Sequence, residues 1–248
     1  MRPKLFKLVQ AVCAASLVTL GVFVLPGCPT DTPTACECLP TAYNPVIDPE
    51  NFVKNIDNPY FPLAPGTVMT YEAQTPEGTE EIVVRVLKKK KTVLGVTCTV
   101  VRDTVKLEGE VIEDTYDWYA QDKDGNVWYM GEASMEFEND MVVSTFGSWE
   151  GGVDCAKPGI IMRATPKIGE SYRQEYYPCV AEDKAKVVSQ TETVTVIYDT
   201  FDDCIETEET TPLDPDVLEM KFYAPGIGHI LTLDDGERAE ELISITTE

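Results

Sequence analysis

The sequence predicts an all-β domain, an antiparallel meander forming a curved sheet, half-barrel or barrel, and three observations carry that expectation. From about Asn51 onward apolar residues recur at alternate positions. The stretches that alternate are rich in Val, Thr, Ile and aromatic residues, and Asp-Gly pairs punctuate them. No segment shows the apolar stripe of an amphipathic helix, although Pro49–Asn55 could form a turn or so of helix leading into the domain.

Taken in order, the alternating runs are 79–87, 93–107, 111–120, 127–132, 141–148, 171–177, 187–198, 217–223, 229–233 and 239–245. Lys123-Asp124-Gly125-Asn126 joins two aromatic runs and places glycine where a tight hairpin needs positive φ, and Asp234-Asp235-Gly236-Glu237 repeats the signal near the end of the chain. Lys88-Lys89-Lys90-Lys91, followed closely by Gly95, reads as a solvated hairpin tip. About ten antiparallel strands joined by short turns would leave exposed edges in a flat sheet, so curvature toward closure is expected.

The start of the chain has a different character. Arg2, Lys4 and Lys7 precede an uncharged apolar stretch from Leu8 to Leu25, the pattern of an export signal. Leu25-Pro26-Gly27-Cys28 then offers an aliphatic residue, a small residue and a cysteine at the spacing used in lipoprotein processing. Residues 1–27 are therefore expected to be a signal peptide and Cys28 to carry lipid, palmitate included. Residues 28–50, with the lipidated cysteine and a Pro/Thr-rich stretch, read as a linker, and 51–248 as a single all-β domain. The expected location is the cell envelope, anchored to a membrane and facing away from the cytoplasm.

With 20 Lys and Arg against 43 Asp and Glu, the chain carries a formal charge of −23. A surface of that sign repels nucleic acid, so nucleic acid is not an expected partner. Export exposes Cys36, Cys38, Cys98, Cys155, Cys179 and Cys204 to an oxidising compartment. Cys98 alternates with Val96 and Val100 and reads as a buried thiol, whereas Cys155, Cys179 and Cys204 fall near Gly, Pro and Asp and are candidates for disulfides. Cys36 and Cys38 read as linker cross-links rather than a metal pair, because no histidine or second cysteine pair accompanies them.

Several segments carry a resemblance: Asn58-Pro59-Tyr60-Phe61-Pro62-Leu63-Ala64-Pro65-Gly66-Thr67, Thr115–Asp122, Gly125–Tyr129, Lys157–Met162, Tyr172–Pro178 and Tyr223-Ala224-Pro225-Gly226-Ile227-Gly228. In that order, over 51–248, they resemble an uncharacterised family of bacterial exported proteins and lipoproteins. The closing segment is also similar to all-β envelope domains akin to the lipoprotein-carrier half-barrels. The resemblance implies no established activity and no catalytic residue. Cys155 and Cys179 stand where the family suggests glycine, and Cys204 where it suggests an apolar residue, which implies disulfides particular to this chain.

Motifs for chemistry are sparse. His229 is the single histidine, Gly147-Ser148-Trp149-Glu150-Gly151 has the wrong offset for a nucleophile elbow, and no phosphate-binding glycine loop occurs. Asp122, Asp124 and Asn126 match the start of a calcium loop, yet Ala133 stands where the bidentate glutamate belongs, which leaves a plain turn. No catalytic residue, cofactor or metal is expected. Trp118, Tyr119, Trp128 and Tyr129 are the candidate ligand surface, as aromatics facing across one hairpin. The expected function is a non-enzymatic binding or interaction domain for an envelope protein or small ligand. An apolar lumen would favour a periplasmic carrier of apolar ligands instead, and a cleft of converging carboxylates a glycan-acting hydrolase.

Overall fold

The computed structural model describes residue 38 and residues 41–248; the signal segment, Cys28 and Cys36 lie outside the described residues. Among the described residues no helix is long and apolar enough to cross a membrane. A 3-10 turn at Pro49–Asn51, capped by Asp48, leads into fifteen strands. The first five are β1 (Thr67–Thr75), β2 (Gly78–Val93), β3 (Val96–Leu107), β4 (Glu110–Gln121) and β5 (Val127–Glu138). Shorter pieces follow: β6 (Met141–Ser144), β7 (Trp149–Glu150), β8 (Lys157–Met162), β9 (Ser171–Arg173) and β10 (Glu175–Tyr176). A second meander closes the chain: β11 (Lys184–Thr195), β12 (Thr200–Thr211), β13 (Asp214–Ala224), β14 (Gly228–Asp234) and β15 (Glu237–Thr247).

The two meanders join where β1 pairs with β15, giving the spatial order β10-β8-β5-β4-β3-β2-β1-β15-β14-β13-β12-β11-β9, all antiparallel. Its two ends are consecutive in sequence. β10 pairs with β8 through Glu175 and Pro158, β9 pairs with β11 through Tyr172 and Ala185, and only Gln174 separates them. One short segment thus bridges both ends, and the sheet is a nearly closed barrel. That solves the edge problem which a flat sheet of this length would face.

The seam requires glycine at position 159. A Cβ there would run into the carbonyl of Gln174 and the amide of Glu175, so the backbone of the bridging segment lies directly against this residue. Gly125, in the β4–β5 turn, has φ of 94° as the Asp-Gly signal anticipates, and its amide donates to Asp122 O at 3.0 Å.

Other expectations are corrected. The lysines 88–91 are not a hairpin tip but belong to β2, whose turn comes at Leu94 and Gly95. They are held by contacts of their own: Lys90 Nζ donates to Thr99 Oγ1 at 2.9 Å, and Lys91 pairs with Glu150 at 2.8 Å while lying 3.9 Å over the Trp118 ring. The run expected at 171–177 is split at Gln174, because its halves serve opposite ends of the sheet. β1, β7, β8 and β12 were not anticipated.

Residues 43–50, expected as linker, lie on the barrel. Tyr43 OH donates to Pro158 O at 2.7 Å, Lys157 Nζ donates to Tyr43 O at 2.7 Å, and Ile47 and Phe52 pack on the cluster of Val93, Val96, Cys98, Val100, Trp118 and Met130. Cys38 is disulfide-bonded to Cys155, with Cα atoms 5.7 Å apart, and Cys179 is disulfide-bonded as well. Cys204 is not in a bridge: it stands on β12 with its side chain fully buried, so the expectation of a disulfide there is corrected. Cys98 is likewise free and buried, and desolvation pushes these thiols up to about 12 at Cys98 and about 11 at Cys204.

The seam yields a test. Gly159→Ala forces the bridging segment off β8, an overpacking cost of about 1–3 kcal/mol, which lowers the melting temperature by roughly 3–10 °C. An unchanged melting temperature would contradict the close approach of Gly159 and Gln174.

Candidate functional site

Alternation along the strands decides what the barrel contains. Glu80 and Ile82 of β2, Asp103, Val105 and Leu107 of β3, and Glu219 and Lys221 of β13 border one chamber of about 350 Å³. Val84 of β2, Val101 and Asp103 of β3, Asp117 and Tyr119 of β4, and Lys221 and Tyr223 of β13 border a second chamber of about 220 Å³. These positions are in phase along each strand, which identifies the inward face. Asp103, Lys221 and Glu240 border both chambers and form the waist between them. The smaller chamber is roofed by Phe61-Pro62-Leu63 and by the turn at Ile227-Gly228-His229.

Lys221 is the cation of this interior. Its Nζ lies 3.1 Å from Glu209 Oε2 and 3.4 Å from Glu219 Oε2. Burial alone would lower its pKa, but the two carboxylates outweigh burial and hold it well above the ordinary lysine value. Glu209 is fixed in turn: Tyr223 OH and Thr207 Oγ1 each donate to its Oε1 at 3.0 Å. Against the burial that would raise it, Lys221, Gln174 and the hydrogen bond from Tyr223 bring the Glu209 carboxyl below its usual range.

The remaining inward carboxyls behave oppositely. Burial raises Asp103 well above the usual value, and the charges of Glu240 and Asp117 add to the effect. Asp117 is pushed up to about 7 by burial, against the hydrogen bond that Tyr129 OH donates to its Oδ1 at 2.6 Å. Glu240 rises to about 7 for the same reason, with Lys221 opposing. Asp183, near the seam, reaches about 7 through burial, opposed by a hydrogen bond from Thr211. His229 is driven down to about 3 by burial and by Lys221, so its ring is neutral, with Nε2 at 2.9 Å from Thr232 Oγ1 and its plane stacked on Tyr71 at 5.4 Å.

The aromatic surface anticipated from sequence is divided between two faces of the sheet. Trp118 and Trp128 pack under residues 47–52, where Trp128 Nε1 donates to Asp122 Oδ2 at 2.9 Å. Tyr119 and Tyr129 point the other way and stack at 4.8 Å, but of the four only Tyr119 borders the chambers described here. The cause is the pleat: neighbours along a strand face opposite sides, and a bulge at Trp118/Tyr119 brings Tyr119 opposite Tyr129. In the adjoining turn both oxygens of Asp122 are taken up by Asn126 N and Nδ2 and by Trp128 Nε1, which makes it a structural hub.

The waist was missed in the sequence reading, although a signal was present. Asp103 stands in phase with Val101 and Val105, and Lys221 in phase with Glu219 and Tyr223, so charges fall on the face that the alternation turns inward. Glu240 carried no such signal, because the register of β14 against β15 shifts at Thr232/Leu233.

Comparison with known proteins adds little to this geometry. No family model and no curated protein matches the chain. Among solved structures, one titled "putative lipoprotein" from Parabacteroides distasonis ATCC 8503 aligns with 75% of this chain and 98% of its own, at 12% identity and a TM-score of 0.35.

The raised carboxyls predict an unusual pH profile. For Asp117, Glu240 and Asp183 the folded pKa near 7 exceeds the unfolded value, so their contribution to stability is fully present below about pH 4 and is lost as pH rises through 7. Glu209, shifted the other way, loses its contribution only below the ordinary carboxylate range. The melting temperature is therefore expected to fall from pH 5 to pH 8 by roughly 5 °C or more, and less steeply in Asp117→Asn. A melting temperature that rises over this interval would contradict the assignment.

Proposed function

We propose that this chain is a lipid-anchored cell-envelope protein whose barrel binds a small ligand in its lumen without transforming it. Anchoring rests on the export pattern of residues 1–27 and on Cys28, and the disulfides at Cys155 and Cys179 suit an oxidising compartment outside the cytoplasm. The observation that carries binding is the pair of chambers meeting at Asp103, Lys221 and Glu240. The smaller chamber, with an apolar and aromatic wall and a few inward charged groups, has the usual composition of a small-molecule site, whereas carboxyls form much of the lining of the larger one.

Two competing readings have less support. A carrier of acyl chains would have to thread an apolar chain past buried carboxyls and an ammonium, leaving them without water or partner. A glycan-acting hydrolase needs two carboxyls of opposite habit, one held protonated and one ionised. Here burial raises alike the carboxyls that border the smaller chamber, Asp103, Asp117 and Glu240, while the lowered one, Glu209, is tied up by Lys221 at 3.1 Å and borders neither chamber.

Native mass spectrometry of protein purified from its own membrane tests the proposal. The expected spectrum shows a lipid-modified chain with a small noncovalent adduct, and Cys28→Ala moves the protein into the soluble fraction with the adduct retained. A co-purifying acyl lipid would point to the carrier, and release of sugars from envelope glycan by the pure protein would point to the enzyme; either result overturns the proposal.

A further inference from the structure

If the lumen is a ligand site, the distribution of charge within it indicates the class of ligand. Lys221 is shared between Glu209 and Glu219 at 3.1 and 3.4 Å and also opposes the rise of Glu240, so one ammonium serves a waist that holds three further carboxyls. Those are Asp103 on β3, Asp117 on β4 and Glu240 on β15, all bordering the smaller chamber. Asp117 accepts from Tyr129, and Glu240 has Thr232 Oγ1 at 3.5 Å, at the outer limit of a hydrogen bond.

Asp103 differs from both. It keeps part of its surface open, and it borders both chambers, yet its Oδ1 is inaccessible and has no hydrogen-bond partner. A buried acceptor left without a donor is costly, and an ionised donor compensates a carboxylate best. A cation in the chamber would meet the part of this carboxyl that stays open to it, and would favour the ionised form over the protonated one that burial favours.

The rest of the chamber describes the other part of such a molecule. Phe61, Ile161 and Ile227 offer apolar surface, and Tyr71 and Tyr119 add aromatic surface. An apolar cavity of about 150 Å³ accommodates benzene, so 220 Å³ takes an aryl or short alkyl group together with a short arm. A bare metal ion fits less well: among the described residues no three His, Cys, Asp or Glu side chains are grouped to hold one. An anion would meet carboxyls on three strands.

We propose that the lumen binds a small organic ammonium ion, an arylalkyl or alkyl amine, whose N–H groups donate to Asp103 at the waist while its apolar body fills the chamber beneath Phe61. The inference rests on the lumen-binding reading and adds the ligand class to it.

Isothermal titration is run on the full chain carrying Cys28→Ala, the whole protein without its lipid. Three probes of one shape separate the cases: 2-phenylethylamine, 2-phenylethanol and 3-phenylpropionate. The amine is expected to bind at least about tenfold tighter than the alcohol, with no binding of the carboxylate, and Asp103→Asn is expected to weaken the amine at least about tenfold while leaving the alcohol unchanged. The melting temperature of Asp103→Asn checks its fold, and Glu240→Gln serves as the second variant, with loss of amine affinity again expected. Equal binding of amine and alcohol, tighter binding of the carboxylate, or amine affinity unmoved in the folded variants would overturn the ammonium assignment while leaving the lumen as a ligand site. Failure of all three probes at millimolar concentration would overturn it too, and the lumen-binding reading would then stand or fall on the native adduct alone.

Discussion

Lys221 can occupy the inside of a β-barrel because Glu209 and Glu219 stand beside it, and much of the interior is organised around that group. An ammonium taken out of water without a partner would lose its proton or disrupt the fold, whereas two carboxylates at 3.1 and 3.4 Å retain its charge. Glu209 is then held by Tyr223 and Thr207, so β12 and β13 are cross-linked by side chains as well as by their ladder. The same field keeps His229 neutral and opposes the upward shift of Glu240. Replacing one partner of such a group costs far more than the pair contributes, which makes the waist a rigid feature against which a ligand can be read.

Around this waist the chain is closed by local devices. The segment Ser171–Tyr176 joins both ends of the sheet and depends on the missing side chain at Gly159. The strap 43–52 covers Trp118 and Trp128 on the outer face, and the Cys38–Cys155 bridge ties the start of the strap to the loop before β8. Cys38 lies ten positions after Cys28, so a lipid on Cys28 would hold the Cys155 side of the barrel within about 35 Å of a membrane. The expected linker is in effect shortened by the portion that packs.

The legibility of the sequence follows from the same physics. Strands whose inward face is apolar announced themselves: Val96–Leu107 and Val127–Glu138 have valine or aromatic residues in alternation, and the Asp-Gly turn between β4 and β5 fixed their hairpin. β12 was invisible because, beyond Cys204 and Ile205, its buried positions are Thr207, Glu209 and Thr211, a polar set that imitates a solvated loop. The residues that hide the strand also build the waist, so the site and the missed element share one cause. The aromatic hairpin was legible as a hairpin but not as a site, since the bulge at Trp118/Tyr119 determines which ring faces inward. Cys204 illustrates the limit of reading loops from composition: Asp202 and Asp203 beside it suggest exposure, yet the strand turns its thiol into the core.

Desolvated carboxyls gathered around one shared ammonium define the waist, and carboxyl carbon chemical shifts followed by NMR through a pH titration test this arrangement most directly. Asp117 and Glu240 are expected to titrate near pH 7, and Glu209 below the ordinary glutamate range. Titration of all three close to pH 4 would show a hydrated lumen in which these side chains behave as surface acids, and would contradict the account.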